Sequence, residues 1–536
     1  MAILSSGLFQ ATAAALLLAL GVYKFIIYPA FLSPLAKIPN AHFTSPLSPL
    51  WILWRRFRMA GNRTIHAAHM KHGPIVRLGP SEVSINCYEG GLRTVYTGGY
   101  EKHEWYPRLF GSFGTISMFS MVGSKEHSVR KRMLANIYSK SYLQASPQLK
   151  AVTEAILFDR LFPVLEEYAN SESSVEVHEL NNAIALDFIT AYIFGLPAAS
   201  NFIQNPSLRK EWFSIYHSRK EFEFYIQETP ELLSWSHKLG FPLIPKWCDD
   251  ANAFMEKWGL DTCDKAEENI SSSDPIAEPV VYRQLKQALQ RHFAANLDPR
   301  LEAKDVAQKI RLEVACETFD HLTAGHETSA ITLTYLFWEL SKNPDIQEKL
   351  RRELKTLDPN VIPLSHSGSS KLSSHKSIDA LPLLDAIVME TLRLHPPIPG
   401  IQPRLTPADA SLAGYHNLPP NTRVNAQAYS LHKNEDVFPN ADSWLPDRWL
   451  APAGSPQLDE MKRWFWAFGS GGRMCIGSHF ALQEIKLVVA ALYTNYTTRI
   501  VEDEGMEPID AYTTRPTGNK LTLIFGRARG DSLKSV

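Results

Sequence analysis

FGSGGRMCIG, residues 468–477, places four glycines, one arginine and one cysteine directly before SHFALQEIKLVVAALY, residues 478–493. The second stretch carries apolar residues at three- and four-residue spacing and reads as a helix that starts near Ser478. Glycine lacks a Cβ, so the loop before it can turn tightly and approach a flat ligand closely. A helix starting just beyond Cys475 sets unpaired N–H groups and the positive end of its dipole near the sulfur, which favours the thiolate. A thiolate held in this way can be the single protein ligand of a haem iron.

The remaining composition narrows the alternatives. The chain has 536 residues, 45% hydrophobic and 21% charged, enough apolar material for a large core in two to four folding units or one unusually large domain. Its 55 basic and 56 acidic side chains leave a net charge of -1, which gives no electrostatic case for a nucleic-acid partner. The five cysteines are widely spaced with no CxxC pair, which argues against a zinc site or a disulfide framework and fits a reducing compartment.

Leu8 to Tyr28 is an apolar run of 21 residues, about 31 Å as a helix and close to the thickness of a bilayer core. No basic residue precedes it and no small-x-small cleavage pattern follows, so it reads as an anchor and not as a signal peptide. Lys37, Arg55, Arg56, Arg58 and Arg63 all follow it, which places the bulk of the chain on the cytoplasmic side. The expected organisation is an anchor over 1–28, a stiff hinge over 29–50 with Pro34, Pro39, Pro46 and Pro49, and a catalytic domain over 51–536.

Within that domain, residues 74–87 read as two short strands and residues 125–139, 146–170 and 176–195 as helices. A helix of exceptional length is expected from about Ala303 to Ser341, ending before Pro344, and residues 520–527 read as a closing strand. Two polar inserts, 269–279 and 363–377, read as exposed loops. The fold class is mainly α with a smaller, mixed β portion.

The motif Phe468, Gly471, Arg473, Cys475 and Gly477 matches the FxxGxRxCxG signature of the cytochromes P450, a coincidence expected by chance in about one chain in ten thousand. This resemblance implies that Cys475 is the proximal ligand of a haem b iron, that Phe468 packs by the sulfur and that Arg473 pairs with a haem propionate. Glu390 and Arg393 in METLRLHPP lie three apart on one helix face; alone they would be an ordinary surface pair, but in this family they form a core element completed by Arg448 of LPDRWL. AGHETS, 324–329, resembles the oxygen-activating motif, which implies proton-relay roles for Glu327 and Thr328 and a local opening of the helix at Gly325 that leaves a groove for dioxygen. On the residues alone, Thr328 could instead return its hydroxyl to the carbonyl of Ala324.

Further cations for the propionates are implied at Arg404 in GIQPR and at Lys131, paired in pattern with His127, where arginine is commoner; Arg130 or Arg132 are the alternatives. By family position the substrate walls would include Phe113, Ile116, Phe119, Phe319, Thr323, Ile398, Ile401 and Thr517, mostly apolar and suited to a lipophilic small molecule. The implied activity is insertion of one atom of O2, with electrons from a separate NADPH-cytochrome P450 reductase, at the endoplasmic reticulum membrane. The style of the chain is similar to filamentous-fungal members that tailor secondary metabolites. Two rivals remain open at this point: a reductase-independent isomerase or dehydratase, and a haem-binding sensor with His326 as a sixth ligand.

Overall fold

A computed structural model describes residues 2–296, 300, 302–362 and 372–528. The chain opens with a helix, Ala2–Val22, that continues as a wider-wound segment, Tyr23–Leu32, through Pro29. Winding wider accommodates the proline, which has no N–H to donate, so the helix outlasts the expected end at Tyr28. Its apolar stretch, Phe9–Leu32, has 24 residues, is wholly unburied, and is long and apolar enough to cross a membrane.

Two compact units follow from the packing. The first comprises Met1–His103, Pro399–Asn434 and Gly469–Arg473. Its four-stranded sheet runs in the order Ile75–Gly79, Glu82–Ile85, Arg423–Asn425, Arg404–Leu405, with the central pair parallel and the outer pairs antiparallel. Ile65 and Ala68 from the helix Gly61–His72 pack with Ile52, Val76 and Leu78 to form a small core.

The proline-rich segment expected as a stiff hinge belongs to this unit. Leu35 and Ile38 are buried, Arg77 donates its N–H to the Pro39 carbonyl at 2.8 Å, and Ala41 donates back to Arg77 at 2.9 Å. Proline withholds a donor but keeps its carbonyl, so it can still accept at a sheet margin. The Arg77 side chain is itself fully buried and donates to the carbonyls of Pro29, Gly79 and Pro80.

The second unit, Glu104–Ile398, Glu435–Phe468 and Met474–Val536, is mainly helical. The long helix runs from Ala303 to Lys342 and stops where Pro344 prevents continuation. It packs along Val177–Phe194, a helix buried over nearly its whole surface. Gly325 sits where they approach tightly, since a Cβ there would lie 2.8 Å from Cγ1 of Ile189. The α-helix is unbroken through AGHETS, so the local opening expected there is absent and the glycine serves helix contact.

Ser174–Glu176, Thr522–Arg527 and Tyr496–Glu502 form an antiparallel sheet in which Leu523 and Phe525 are buried. The first insert is a loop, but its end is not exposed. Ala277 and Glu278 are buried, and Ile276 accepts from Leu196 N–H at 2.9 Å. Of the second, 363–371 lies outside the described residues; Leu372 and Ser373 are buried and His375–Asp379 is a short helix capped by the Ser374 hydroxyl.

Candidate active site

The cysteine loop is closed by the backbone of Cys475, which donates to the Phe468 carbonyl at 3.0 Å; the helix Ser478–Asn495 begins three residues on. Phe468 itself is partly buried against the main core. The amide N–H groups of Gly477 and Ser478 are aimed at the sulfur. Surrounding protein pushes the thiol up, more strongly than these amides and the Lys131 ammonium pull it down. The helix start alone therefore does not make the thiolate, contrary to the sequence argument; a bound metal deprotonates a coordinating thiol outright. Cys475 is nonetheless exposed. A cysteine that is open to solvent yet has its thiol desolvated by the protein packed around it fits a single donor to a bound haem.

Lys131 donates to the Met474 carbonyl at 3.0 Å and so stands at this loop. Arg130, one of its alternatives, is committed elsewhere: its guanidinium binds Glu317 at 3.1 Å and pairs with Glu313 on the long helix. Arg132 is exposed, and His127 is buried with its N–H on the Gly123 carbonyl. In the first unit, Gly471 has φ +70° and a Cβ there would strike the Tyr96 carbonyl, so glycine is required twice over. Arg473 there pairs with Glu101 at 3.2 Å, and Arg404 donates to the Pro403 carbonyl at 3.0 Å with its guanidinium 5.0 Å from the Tyr96 ring centre.

The middle of the long helix is buried except along one stripe: Asp320, Ala324 and Thr328, at four-residue spacing, with Thr323 and Gly325 beside it. Asp320 acts electrostatically on the Cys475 sulfur, so the open stripe and the open thiol belong to one neighbourhood. Thr328 donates its hydroxyl to the Ala324 carbonyl at 2.7 Å.

Glu327 points elsewhere. Its carboxylate pairs with Lys220 and accepts from the Tyr216 hydroxyl at 3.0 Å and the Thr513 hydroxyl at 2.7 Å. Burial would raise its pKa, but the Lys220 ammonium, with His326 and these hydrogen bonds, holds it far below the usual carboxylate range. His326 is buried among Trp212, Phe213 and Tyr216, with Nδ1 on the Leu322 carbonyl, so it is not placed as an iron ligand on the open stripe.

Glu390, Arg393 and Arg448 meet in one cluster. Arg393 grips Glu390 through two hydrogen bonds of 2.9 and 2.8 Å, and Arg448 Nε adds a third at 3.1 Å. Trp449 Nε1 and the Leu445 N–H also donate to this carboxylate, and Arg393 reaches the carbonyls of Ala441 and Ser443. Glu390 and Arg393 are essentially inaccessible, so each charge depends on these partners.

The expected walls divide. Phe113 and Phe319 meet edge to face at 5.9 Å, with Gly259 leaving room for both rings. Phe119 packs edge-on against Phe110 at 5.0 Å, and Phe110 lies 5.2 Å from Tyr512. Ile398 is partly buried and Ile116 is 41% exposed. Two others have different surroundings. Ile401 packs on the small core of the first unit, because a bridge to Gln427 fixes it there. Thr517 lies in an exposed turn, held by its hydroxyl on the Glu507 carbonyl at 2.6 Å. Tyr512 and Thr513, a few residues earlier, are what that segment brings to Phe110 and Glu327. Together with Tyr216 and Lys220 they escape sequence reading, since no spacing links them to the motifs.

The family pattern described as Cytochrome P450 matches residues 45–523. The chain is 30% identical over 436 residues to cytochrome P450 monooxygenase avaI of Aspergillus versicolor, covering 78% of this chain and 94% of that protein. It is 25% identical over 528 residues to cytochrome P450 monooxygenase BOT1 of Botryotinia fuckeliana, covering 96% and 94%, and 25% identical over 495 residues to the tryprostatin B 6-hydroxylase of Neosartorya fischeri, covering 91% and 81%. A match spanning most of the chain, on a fold that carries the cysteine loop and the Glu–Arg–Arg cluster, establishes that this protein belongs to the cytochrome P450 family of haem-thiolate monooxygenases.

Proposed function

We propose that the protein inserts one atom of O2 into a lipophilic small molecule as a tailoring step of fungal secondary metabolism, with Cys475 as the axial ligand of haem b. The observation that carries this reading is the accessible, desolvated Cys475 sulfur within electrostatic reach of the stripe Asp320, Ala324, Thr328. Tailoring agrees with relatives such as the tryprostatin B 6-hydroxylase. When bound, haem supplies oxygen activation, which a thiolate ligand favours by pushing electron density toward O–O cleavage.

The chain's own groups do the rest. The Gly477 and Ser478 amides hold the sulfur, and the Lys131 ammonium beside them is the cation assigned to a propionate. Thr328 is the hydroxyl assigned to proton delivery along the open stripe once it turns off the Ala324 carbonyl, and Glu327, held ionised against Lys220, is assigned to steering protons toward it through its charge. Glu390, Arg393 and Arg448 fix the helix Pro382–Leu394 and act through geometry alone. Electrons come from NADPH-cytochrome P450 reductase, docking on the cysteine side. The apolar N-terminal helix anchors the protein in the endoplasmic reticulum membrane with the catalytic part facing the cytoplasm.

Deleting the gene in its source organism and feeding the compound that accumulates to microsomes holding protein and reductase identifies the substrate. Under labelled dioxygen the expected product carries one labelled oxygen and forms only with NADPH and reductase present. A product formed without reductase and without label overturns the proposal in favour of an isomerase or dehydratase.

A further inference from the structure

Past the helix Pro206–Ser218 the chain turns and sets Arg219, Lys220 and Glu223 beside the long helix. Phe319, Thr323 and Glu327 follow one another there at four-residue spacing, adjoining the open stripe. Lys220 pairs with Glu327 at one end. At the other, the Arg219 guanidinium lies 5.7 Å from the Phe319 ring centre and 4.6 Å from that of Tyr216. The two cations thus straddle Thr323.

Arg219 is not matched as Lys220 is. Its Nε is buried without a hydrogen-bond partner, and among the described residues neither it nor Arg515 forms an ion pair. Arg515 reaches the same cluster, acting on Glu223 and His217. Three cations, Arg219, Lys220 and Arg515, therefore face two carboxyls, Glu223 and Glu327. Burial pushes Glu223 up, which weakens the opposing negative charge further. The buried Arg219 Nε has lost water without gaining an acceptor, and a bound anion supplies one.

We propose that this cluster is a carboxylate-binding subsite, and that the substrate is an amphipathic acid whose carboxylate rests on Arg219 while its apolar body lies along Phe319 and Phe113. Arg515 adds to the positive charge of the cluster. The inference rests on the monooxygenase reading, which it deepens by naming the substrate class. Arg219 acts here as a specificity-determining residue.

The test is equilibrium dialysis of purified holoenzyme against dodecanoate, its methyl ester and dodecylamine. Charge-assisted hydrogen bonding predicts that the acid binds about ten-fold more tightly than the ester. Arg219→Gln removes that preference and Arg219→Lys keeps part of it. Equal affinities, including no measurable binding of all three, overturn the proposal, as does a preference for the amine or an acid preference that survives Arg219→Gln. The carbon-monoxide spectrum of the same preparation reports separately on the haem-thiolate reading. A thiolate spectrum without acid preference removes this inference alone, and acid preference without that spectrum removes the functional reading alone.

Discussion

Lys220 and Glu327 are 107 residues apart in sequence and share one buried ion pair, with side chains 18% and 7% exposed. Replacing Lys220 by Met leaves the carboxylate buried and unpaired, which costs about 3 kcal/mol and appears as a lower melting temperature. The pair's contribution follows a definite sign with pH. Because the folded pKa of Glu327 is depressed, its stabilisation is present above the unfolded value near 4.5 and is lost only in strong acid. Thr328→Ala behaves differently. Its hydroxyl bonds its own helix, so stability changes by less than about 1 kcal/mol, while product formed per NADPH consumed falls. At this scale, legibility followed spacing. Phe468 to Gly477 and Glu390 with Arg393 could be read because the family fixes their intervals, and Lys220, Tyr216 and Thr513 could not, because only the fold brings them to Glu327.

Among the elements, the helix Gly61–His72 joins the strand Glu82–Ile85 through His69, which bonds the Gly73 carbonyl at 2.9 Å and the Ser84 hydroxyl at 2.8 Å. Burial lowers its pKa from 6.5 to about 4, outweighing the Gly73 hydrogen bond, and His66 lowers it further. Between those values the unfolded chain binds the proton and the folded one does not, so stability is lost as pH falls, by at most about 1.4 kcal/mol per pH unit. Chemical denaturation of His69→Gln across that range should show a correspondingly shallower pH slope than the parent; equal slopes contradict the assignment. Glu390→Ala strands Arg393 in the core and should cost about 3–5 kcal/mol, read as loss of folded protein on expression. The long helix was legible from Ala303 to Pro344 because its apolar period and its stop signal are local. The meaning of Gly325 was not, because Ile189 meets it from another helix.

For the whole molecule, the mainly α fold with small sheets followed from apolar periodicity, whereas the N-terminal boundary did not. Prolines at 34, 39, 46 and 49 suggested a stiff connector outside any core, yet Leu35 and Ile38 are buried and Pro39 accepts from Arg77. Removing residues 2–28 should release the protein from membranes with its stability intact. Extending the deletion to residue 48 also removes the buried Leu35 and Ile38 and should cost about 3 kcal/mol or more, measured by thermal melting of the two soluble forms. The most direct test of the account is the absorption spectrum of the reduced, carbon-monoxide-bound holoenzyme beside that of Cys475→His. Cys475 as sole protein donor predicts a thiolate-type band in the parent, replaced in the variant by the band of an imidazole-ligated haem or by loss of haem. An unchanged thiolate-type band in Cys475→His would contradict it.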